Sequence, residues 1–514
     1  MTLPLDLLMF GALIGAILLG YPVAFSIAGV AAGFALLGAA LGQFDLSLLG
    51  ALGQRVFGLI TNEVLIAIPL FVLMGVVLEK SRIAEELLET MGALFGRMRG
   101  GLGISVVLVG ALLAASTGIV GATVVAMGLI ALPAMLANGY DRRLACGTVC
   151  TAGTLGQIIP PSTLLIILSD VMSNAYQQAQ FAEGKFTIET ISVGQIFAAA
   201  LAPGLMLVAL YIGYLALRAW ARPGDAPSVG EGTPPSAAQI ARAIAPPILL
   251  IVAVLGAILG GVATPTEAAS VGAVGALLLA GLRLGAPWPM VVGIVALLAF
   301  AVAAGVAPVR LQRSDAGAAE MTQGAAYAVL AIIGLAALAL AIWRTERAAL
   351  LRPALTQTMT ITAMIFTTIL TASVFSLVFV GLGGEERVAE ILEATPGGAT
   401  GALLFSMALI FVLGFFLDFV EITVILLPLV VPGLILMGHD PVMLAVLIAI
   451  NLQTSFLTPP FGFSLFYLRG VAPKEIGTGE IYRGVIPFIL LQVIGIALVW
   501  LWPALATGLP RAMF

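Results

Sequence analysis

Charged residues are scarce in this sequence. Lysine, arginine, aspartate and glutamate together make up 9% of its 514 residues, against about 25% in a soluble domain. There is one histidine, His439, and the two cysteines, Cys146 and Cys150, lie in an apolar segment. A single histidine supplies neither a cluster of metal ligands nor the base of a catalytic triad. We expect the two thiols to be small buried hydrophobes.

Motifs of catalysis and of ATP binding are also missing. The sequence contains no H-E-x-x-H, no G-x-S-x-G and no G-x-x-x-x-G-K-[ST], the patterns of a zinc protease, a serine hydrolase and a P-loop. An intramembrane enzyme and an ATP-driven pump are therefore poor interpretations. The expected surroundings are a lipid bilayer, with no nucleic acid among the partners.

Long apolar runs dominate what is present. Hydrophobic residues form 61% of the chain, and the mean hydropathy is +1.15. Runs of about 20 apolar residues, the length that crosses a bilayer, recur throughout and predict an all-α polytopic membrane protein. We place about 12 spans, at 5–21, 23–42, 63–79, 143–173, 194–219, 243–262, 266–282, 288–308, 325–343, 356–380, 441–468 and 484–508.

Two further apolar stretches, 102–137 and 398–437, are too long for one span and too short for two spans with a loop. Each has a small or polar break in its middle, "STGIVGAT" at 116–123 and "LDFVEIT" at 417–423. A re-entrant helical hairpin, which turns halfway through the membrane, fits both lengths. Backbone that turns at this depth must be covered by protein or line a polar cavity.

The basic residues orient these segments. With the N-terminus outside, 16 of the 22 lysines and arginines fall on the cytoplasmic side, in agreement with the positive-inside rule. The six on the outer side are Arg55, Lys185, Arg310, Arg313, Arg387 and Arg511. This orientation leaves both chain termini on the outer side.

A shift of 299 residues brings similar features of the two halves together. The matches are Pro133 with Pro432, Gly139 and Asp141 with Gly438 and Asp440, Pro160-Pro161 with Pro459-Pro460, and Gly118-Ile119 with Leu417-Asp418. Because the two hairpins enter from opposite sides, the halves form an inverted repeat. Inverted repeats with discontinuous helices are the architecture of secondary transporters.

Each Pro-Pro pair interrupts a span, at 143–173 and at 441–468. A broken helix frees carbonyl groups and exposes the N-terminus of a half-helix, and these bind cations and anions. A plain proline kink is the alternative for either pair alone, but the matched pair favours two ligand-binding breaks.

The repeat also divides the chain. The first repeat covers 1–220 and the second 243–514, joined by a Pro-, Gly- and Ser-rich linker at 221–242 that we expect to be flexible. An offset of 243 between "GYPVAF" (20–25) and "ATPTEA" (263–268) indicates an insertion in the second half, at about 284–352. Its two apolar runs predict an added helical pair.

Four motifs resemble one known family. "GTLGQIIPPS" (153–162), "ATPTEAAS" (263–270), "GFFLDFVEIT" (414–423) and "NLQTSFLTPPFGFSLF" (451–466) are similar to the large membrane subunit of tripartite ATP-independent periplasmic (TRAP) transporters, in the ion-transporter superfamily. The resemblance implies a sodium-driven elevator mechanism in a bacterial inner membrane, with periplasmic termini. It also implies three partners, a small four-helix membrane subunit, a periplasmic binding protein and an organic acid substrate.

The resemblance places sodium ligands, as the coupling ion, at both hairpin tips and both breaks. The positions are Ser116, Thr117, Gly118, Gly153, Thr154, Gly156, Asp418, Thr423, Thr454 and Thr458. Where the family often has Ser-Gly-Ser-Ser at the first tip, this chain has Thr117-Gly118-Ile119-Val120. Two hydroxyl ligands are thus missing there, and backbone carbonyls can replace them.

Polar groups at membrane depth need separate interpretation. A carboxylate such as Asp418 is expensive there and marks a functional hypothesis; it either caps its helix only or also serves a cation or substrate site. Since no lysine or arginine lies at a predicted tip or break, we expect Ser162 and Thr163, with the breaks at Pro160 and Pro459, to hold the substrate carboxylate. A stand-alone sodium- or proton-coupled carboxylate carrier remains the alternative function.

Overall fold

The computed structural model describes residues 4–118, 120–229, 235–309 and 318–514. Within these residues every regular element is helical. The helices of the first half are α1 Leu5–Leu18, α2 Val23–Ala40, α3 Leu52–Ile60, α4 Glu63–Lys80, α5 Ile83–Phe95, α6 Gly101–Thr117, α7 Val120–Ala137, α8 Arg142–Thr154, α9 Thr163–Ala182 and α10 Val193–Ala221.

The second half contains thirteen more helices. They are α11 Ala237–Leu259, α12 Pro265–Arg283, α13 Trp288–Val306, α14 Ala318–Arg347, α15 Leu351–Gly381, α16 Gly384–Ala394, α17 Gly398–Leu413, α18 Phe419–Glu421, α19 Leu427–Leu436, α20 Pro441–Leu457, α21 Phe463–Val471, α22 Thr478–Leu501 and α23 Ala504–Met513. Two 3₁₀ turns, Leu46–Ala51 and Leu155–Gln157, and a π-helical segment, Ile422–Leu426, complete the set.

The predicted all-α polytopic fold is confirmed. In the described part of the chain, ten helices are long and apolar enough to cross a membrane, or up to twelve if each bent pair counts as one span. One predicted span, 484–508, is too long at its end, because α22 stops at Leu501 and α23 begins at Ala504. Pro503 separates the two helices, since proline lacks the N–H that would continue α22.

The two hairpins are built alike. The first consists of α6 and α7, and the second of α17 followed by α18, the π-helical segment and α19. The second half of the hairpin runs from Val120 to Ala137 in the first repeat and from Phe419 to Leu436 in the second, so both of its ends differ by 299 residues. A proline inside this half, Pro133 or Pro432, follows the same offset.

Both broken helices stop and restart at the predicted places. The first broken helix consists of α8 and α9, and its break covers 155–162. The second consists of α20 and α21, and its break covers 458–462. Asp141 and Asp440 cap the first half-helices by accepting backbone N–H groups, as capping residues do. The peptide bonds within both Pro-Pro pairs are cis.

Two amphipathic helices that sequence analysis missed lead into the hairpins. α5 precedes the first hairpin and α16 the second, and both follow a residue with positive φ, Arg82 at 59° or Gly383 at 83°. Each carries two glutamates in its first turn, which stabilise a helix N-terminus. α16 turns into α17 through 119°. We call α5 and α16 the arms.

Most of the helices belong to one of two groups. An outer frame is made by α1, α2, α4, α12 and α15, which contact one another. An inner bundle contains the two hairpins, the two broken helices, α10, α22 and α23. The groups meet where α4 packs against α6 and α9, and where α15 packs against the π-helical segment.

The interval from 284 to 352, predicted as an insertion, forms α13 and α14, which pack against each other. Only 17% of the most apolar stretch of each helix is buried, against 83% for Phe419–Leu436 of the second hairpin. Tyr327 donates a hydrogen bond to the Ala303 carbonyl across the pair at 2.8 Å. The pair therefore lies at the periphery of the described structure.

Part of the linker is bound to the first repeat. The Gly100 N–H donates to the Ala226 carbonyl, and the Asp141 N–H to the Asp225 carbonyl, both at 2.9 Å. Ala226 is completely buried. The expectation of a flexible linker is thus wrong for 225–229, because backbone hydrogen bonds attach Asp225, Ala226 and Val229 to the first repeat. Residues 230–234 lie outside the described structure.

A buried ion pair joins the frame to an arm. The Asp6 side chain is 1% exposed and pairs with Arg387 of α16, whose side chain is 40% exposed. We expect Asp6→Asn to lower the free energy of unfolding by about 1–3 kcal/mol, because it leaves a partly buried guanidinium without its counter-charge. Thermal unfolding in detergent measures the loss.

The control is Glu346→Gln. Glu346 pairs with Arg352, whose side chain is 85% exposed, and exposed pairs contribute about 0–1 kcal/mol. Equal losses in the two variants would show that burial of the Asp6 pair has no special weight.

Candidate functional site

The first break is covered entirely by protein. α8 ends at Thr154, a 3₁₀ turn follows, and α9 begins at Thr163; every residue of 155–162 is buried. The Ser162 hydroxyl donates to the Gln157 carbonyl at 3.1 Å. This hydrogen bond satisfies one carbonyl that the break has freed. The hydroxyl proton of Ser162, a predicted substrate-binding residue, is therefore already used within the chain.

The second break uses the same solution. The Ser464 hydroxyl donates to the Phe456 carbonyl at 2.7 Å, and Phe456 is the repeat counterpart of Gln157 at the 299-residue offset. A serine at the start of the second half-helix thus satisfies the same carbonyl in both repeats. The repeat offset predicts no role for Ser464, because the counterpart of Ser162 at 299 residues is Phe461.

The two breaks differ in exposure. Pro160 is buried with the rest of the first break, whereas Pro459 is partly exposed and the next two residues, Pro460 and Phe461, are exposed. The Phe461 ring lies 5.5 Å from the ring of Phe416 in the turn of the second hairpin. The second hairpin and the second break therefore form the more accessible half of the site.

The first hairpin tip contacts the start of α9. Gly118 has φ +60°, and a Cβ atom there would lie 2.8 Å from the Thr163 backbone nitrogen and 2.9 Å from its hydroxyl oxygen. The same hairpin packs on α8, where a Cβ at Gly153 would lie 2.3 Å from a Val124 methyl. Close packing therefore requires glycine at both predicted positions. Gly156 lies in the 3₁₀ turn.

The structure does not describe the whole first tip. Ile119 and the side chains of Ser116 and Thr117 lie outside the described part. The prediction that these two residues bind sodium therefore stays a prediction.

The second hairpin tip carries two carboxylates in one capping arrangement. Asp418 precedes α18 and accepts the Phe419 N–H at 2.8 Å, while Glu421 accepts the Asp418 N–H. Glu421 is 7% exposed. The expectation that Asp418 caps its helix is confirmed.

Four predicted sodium ligands are threonines whose hydroxyls donate to their own helix. These bonds run from Thr154 to Thr151, Thr423 to Phe419, Thr454 to Ile450 and Thr458 to Thr454, at 2.6–2.9 Å. Such bonding is ordinary for threonine in membrane helices. It also directs each hydroxyl proton away, so that only lone pairs are left for a cation.

The two repeats meet at a hydrogen-bonded cluster that sequence analysis missed. The Gln453 amide donates to the Thr154 hydroxyl at 3.3 Å and to the Tyr211 hydroxyl at 3.4 Å, and Gln492 donates to Tyr211 at 2.9 Å. All four residues are fully buried. Gln453 and Thr154 are 299 residues apart, so the contact joins equivalent positions of the two halves. This equivalence could have predicted the contact from the sequence.

Several polar atoms near the first break have no partner among the described residues. Both amide atoms of Gln157 and the hydroxyls of Thr151 and Thr163 are buried without a hydrogen bond. Burying unpaired polar groups costs free energy, so these atoms suit a small polar ligand or ordered water. The described residues contain no group of three or more His, Cys, Asp or Glu side chains that could hold a metal ion. Neutral oxygen atoms, which suit a hard cation, are what this region provides.

The geometry defines a class of protein. Two hairpins and two broken helices, related by one sequence offset and meeting at buried polar groups, are the arrangement of a secondary transporter. A family model described as "Tripartite ATP-independent periplasmic transporter, DctM component" matches residues 10–286 and 286–505. The chain belongs to this family, and its general role is that of the large permease subunit of a TRAP transporter; it is not an enzyme.

Individual relatives agree. The C4-dicarboxylate TRAP transporter large permease protein DctM of Vibrio cholerae is 27% identical over 98% of this chain and 97% of its own length. The ectoine TRAP transporter large permease protein TeaC of Halomonas elongata is 26% identical over 99% of each. The crystal structure of the Alcanivorax borkumensis YdaH transporter has a TM-score of 0.55 at 17% identity, covering 90% of this chain and 89% of YdaH. This last similarity concerns the fold alone.

Gly118→Ala tests the contact between the first tip and α9. We expect it to lower stability by about 1–3 kcal/mol more than a glycine change without crowding, because the new methyl overlaps Thr163. Gly184→Ala is the matched control, since Gly184 also has positive φ, +73°, with nothing within 4 Å of its Cβ position. Thermal unfolding compares the two variants; equal losses would mean that the tip can move away freely.

Tyr211→Phe tests the cluster between the repeats. Removing the hydroxyl leaves the Gln492 amide without this acceptor and the Gln453 amide with Thr154 alone, and we expect a loss of about 1–3 kcal/mol. Tyr214→Phe is the control, because both tyrosine rings pack edge-on against Phe488, at 5.7 and 5.1 Å. Tyr214 is only half-buried. A Tyr214 variant as unstable as the Tyr211 variant would contradict this assignment.

Proposed function

We propose that this protein is the sodium-coupled permease of a TRAP system that imports an organic acid by an elevator movement. A periplasmic binding protein delivers the acid, and a small four-helix membrane subunit completes the permease in the bacterial inner membrane, with both termini of this chain in the periplasm. The observation that carries the proposal is the pairing of each hairpin tip with a broken helix. Family membership supports the partners.

Sodium is the coupling ion that fits these groups. At the second tip the lone pairs of Thr423 and Thr458 and the Asp418 carboxylate offer oxygen atoms, with the Glu421 carboxylate in the same capping arrangement. At the first tip the ligands are backbone carbonyls and neutral side chains around Gly118, Gly153, Thr154 and Gly156. Oxygen ligands of this kind suit a hard monovalent cation that must bind and leave in each cycle.

The substrate carboxylate is bound without a lysine or arginine at the breaks. The Gln157 amide and the Thr163 hydroxyl are buried and unpaired in the described structure, and Thr163 begins α9. A helix N-terminus attracts anions. These groups, with Ser162 and the turns at Pro160 and Pro459, form the proposed substrate site.

The division into frame and bundle supports an elevator. Each arm connects a frame helix to a hairpin, α4 through α5 and α15 through α16. The left-handed residues Arg82 and Gly383 stand at the frame ends of the arms. A bundle held by two such connections can slide against α4 and α15 while its own hydrogen bonds remain intact.

Sodium binding is tested by thermal unfolding of the purified chain in sodium, potassium and choline chloride. A ligand that binds only the folded state raises the melting temperature. We expect sodium alone to do so, and Asp418→Asn to weaken the effect at least about tenfold in apparent affinity, or about 1.4 kcal/mol.

Asp440→Asn is the matched control, because Asp440 also caps a helix of the second repeat, through the Val442 and Met443 N–H groups. It should leave the sodium response unchanged. Identical unfolding in the three salts would contradict sodium coupling and favour a proton-coupled carrier.

A further inference from the structure

A cleft lies between the frame and the bundle, on the side predicted to be periplasmic. Its volume is about 260 Å³, and it is lined by apolar residues, among them Leu65, Ile167 and Ile369, and by neutral polar residues, among them Asn174 and Ser376. Leu65 and Ile369 belong to the frame helices α4 and α15, and Ile167 to α9 of the bundle. Ile167 is one helical turn beyond Thr163, so the cleft begins next to the proposed substrate site.

Two of the lining residues are charged, Arg55 and Asp170. Arg55 of α3 is exposed and donates one hydrogen bond, to the Ser373 carbonyl at 3.2 Å. This bond attaches the guanidinium to α15 of the frame. Its other N–H groups have no partner among the described residues, and a guanidinium binds a carboxylate through two parallel N–H groups.

Asp170 lines the cleft from α9 of the bundle. One of its oxygens accepts from the Asn62 side-chain amide at 2.9 Å, and Asn62 is itself fixed because its oxygen accepts the Val64 N–H at 3.0 Å. The carboxylate is therefore held in place by a neutral partner, which leaves its charge uncompensated. Arg55 and Asp170 form no ion pair within 4.0 Å.

This arrangement discriminates between anions by charge. The guanidinium attracts one carboxylate, while a second negative group in so small a cleft approaches Asp170, and like charges repel strongly where water is limited. The rest of the ligand meets uncharged side chains only, both apolar and neutral polar. A short acid with one carboxylate and a neutral remainder fits this lining.

We propose that this cleft is the outer binding site for the substrate, that Arg55 binds its single carboxylate, and that Asp170 rejects dicarboxylates. The inference rests on the proposed function, and it names the substrate class. It differs from the C4-dicarboxylate in the names of three relatives. Because one wall belongs to the frame and the other to the bundle, Arg55 meets the substrate only when the bundle is on the outer side.

The test measures apparent affinity by thermal unfolding of the full chain at fixed sodium chloride, with two probes, 2-oxobutanoate and succinate. We expect the unsubstituted chain to be stabilised by 2-oxobutanoate at lower concentration than by succinate. Arg55→Gln should weaken 2-oxobutanoate binding about tenfold or more. Asp170→Asn, which can still accept from Asn62, should strengthen succinate binding by about threefold or more.

Arg511→Gln is the matched control. Arg511 is predicted on the same side of the membrane and is exposed, 3.6 Å from Asp440, so its removal changes the net charge equally without touching the cleft. It should leave both affinities unchanged. An equal loss in the Arg55 and Arg511 variants would show a general charge effect and overturn the proposal.

The sodium response of each variant separates this inference from the proposed function. If sodium stabilises the chain but neither acid does, or if succinate binds as well as 2-oxobutanoate, the cleft assignment is wrong and sodium coupling stands. If sodium itself has no effect, the proposed function fails, and this inference fails with it.

Discussion

The fold depends on satisfying backbone groups where helices stop inside a bilayer. Water is absent there, so each carbonyl freed by a break must find a partner within the chain. Both breaks meet this requirement with a serine hydroxyl, from Ser162 to Gln157 and from Ser464 to Phe456. The hairpin tips then close over the breaks, with Gly118 against Thr163 on one side and Phe416 beside Phe461 on the other. Structure and binding thus arise from the same interruption, because a break that is stable without water is also a set of fixed dipoles at membrane depth.

Features that depend on chain length and local chemistry could be predicted from the sequence. The hairpins follow from runs too long for one span, and the 299-residue offset places the restart of the two broken helices to within one residue. Three features could not be predicted from hydropathy. The arms α5 and α16 are too short and too charged to resemble spans, while the Gln453–Thr154 contact and the Arg55 cleft join residues far apart in the chain. Hydropathy describes how a segment meets lipid, and it carries no information about which polar side chains two segments present to each other.

The division of hydroxyl groups explains how the first break offers ligand atoms without a formal charge. Threonines at the predicted sodium positions donate to their own helices, so that their protons are absent from the space a cation would occupy. Asp418 is stabilised at depth by a capped helix N-terminus, whose partial positive charge offsets the cost of a buried carboxylate. The unpaired Gln157 amide contributes a donor without a formal charge. A transporter needs this restraint, because a site with strong fixed charges would bind its ligands too tightly to release them.

The proposed elevator movement would break some hydrogen bonds and keep others. The hydrogen bonds within the bundle, including the Tyr211 cluster, do not involve the frame, whereas the Asn62–Asp170 bond crosses between α4 and α9. A ligand shifts the equilibrium between two positions of the bundle only by its differential affinity for them. In the proposed elevator, a cleft between Arg55, which is bonded to frame helix α15, and Asp170 of the bundle has this property, because it would exist in one relative position and be lost in the other. Under that proposal the frame is more than a passive support, since release of the substrate carboxylate from Arg55 would be part of the free-energy change of inward movement.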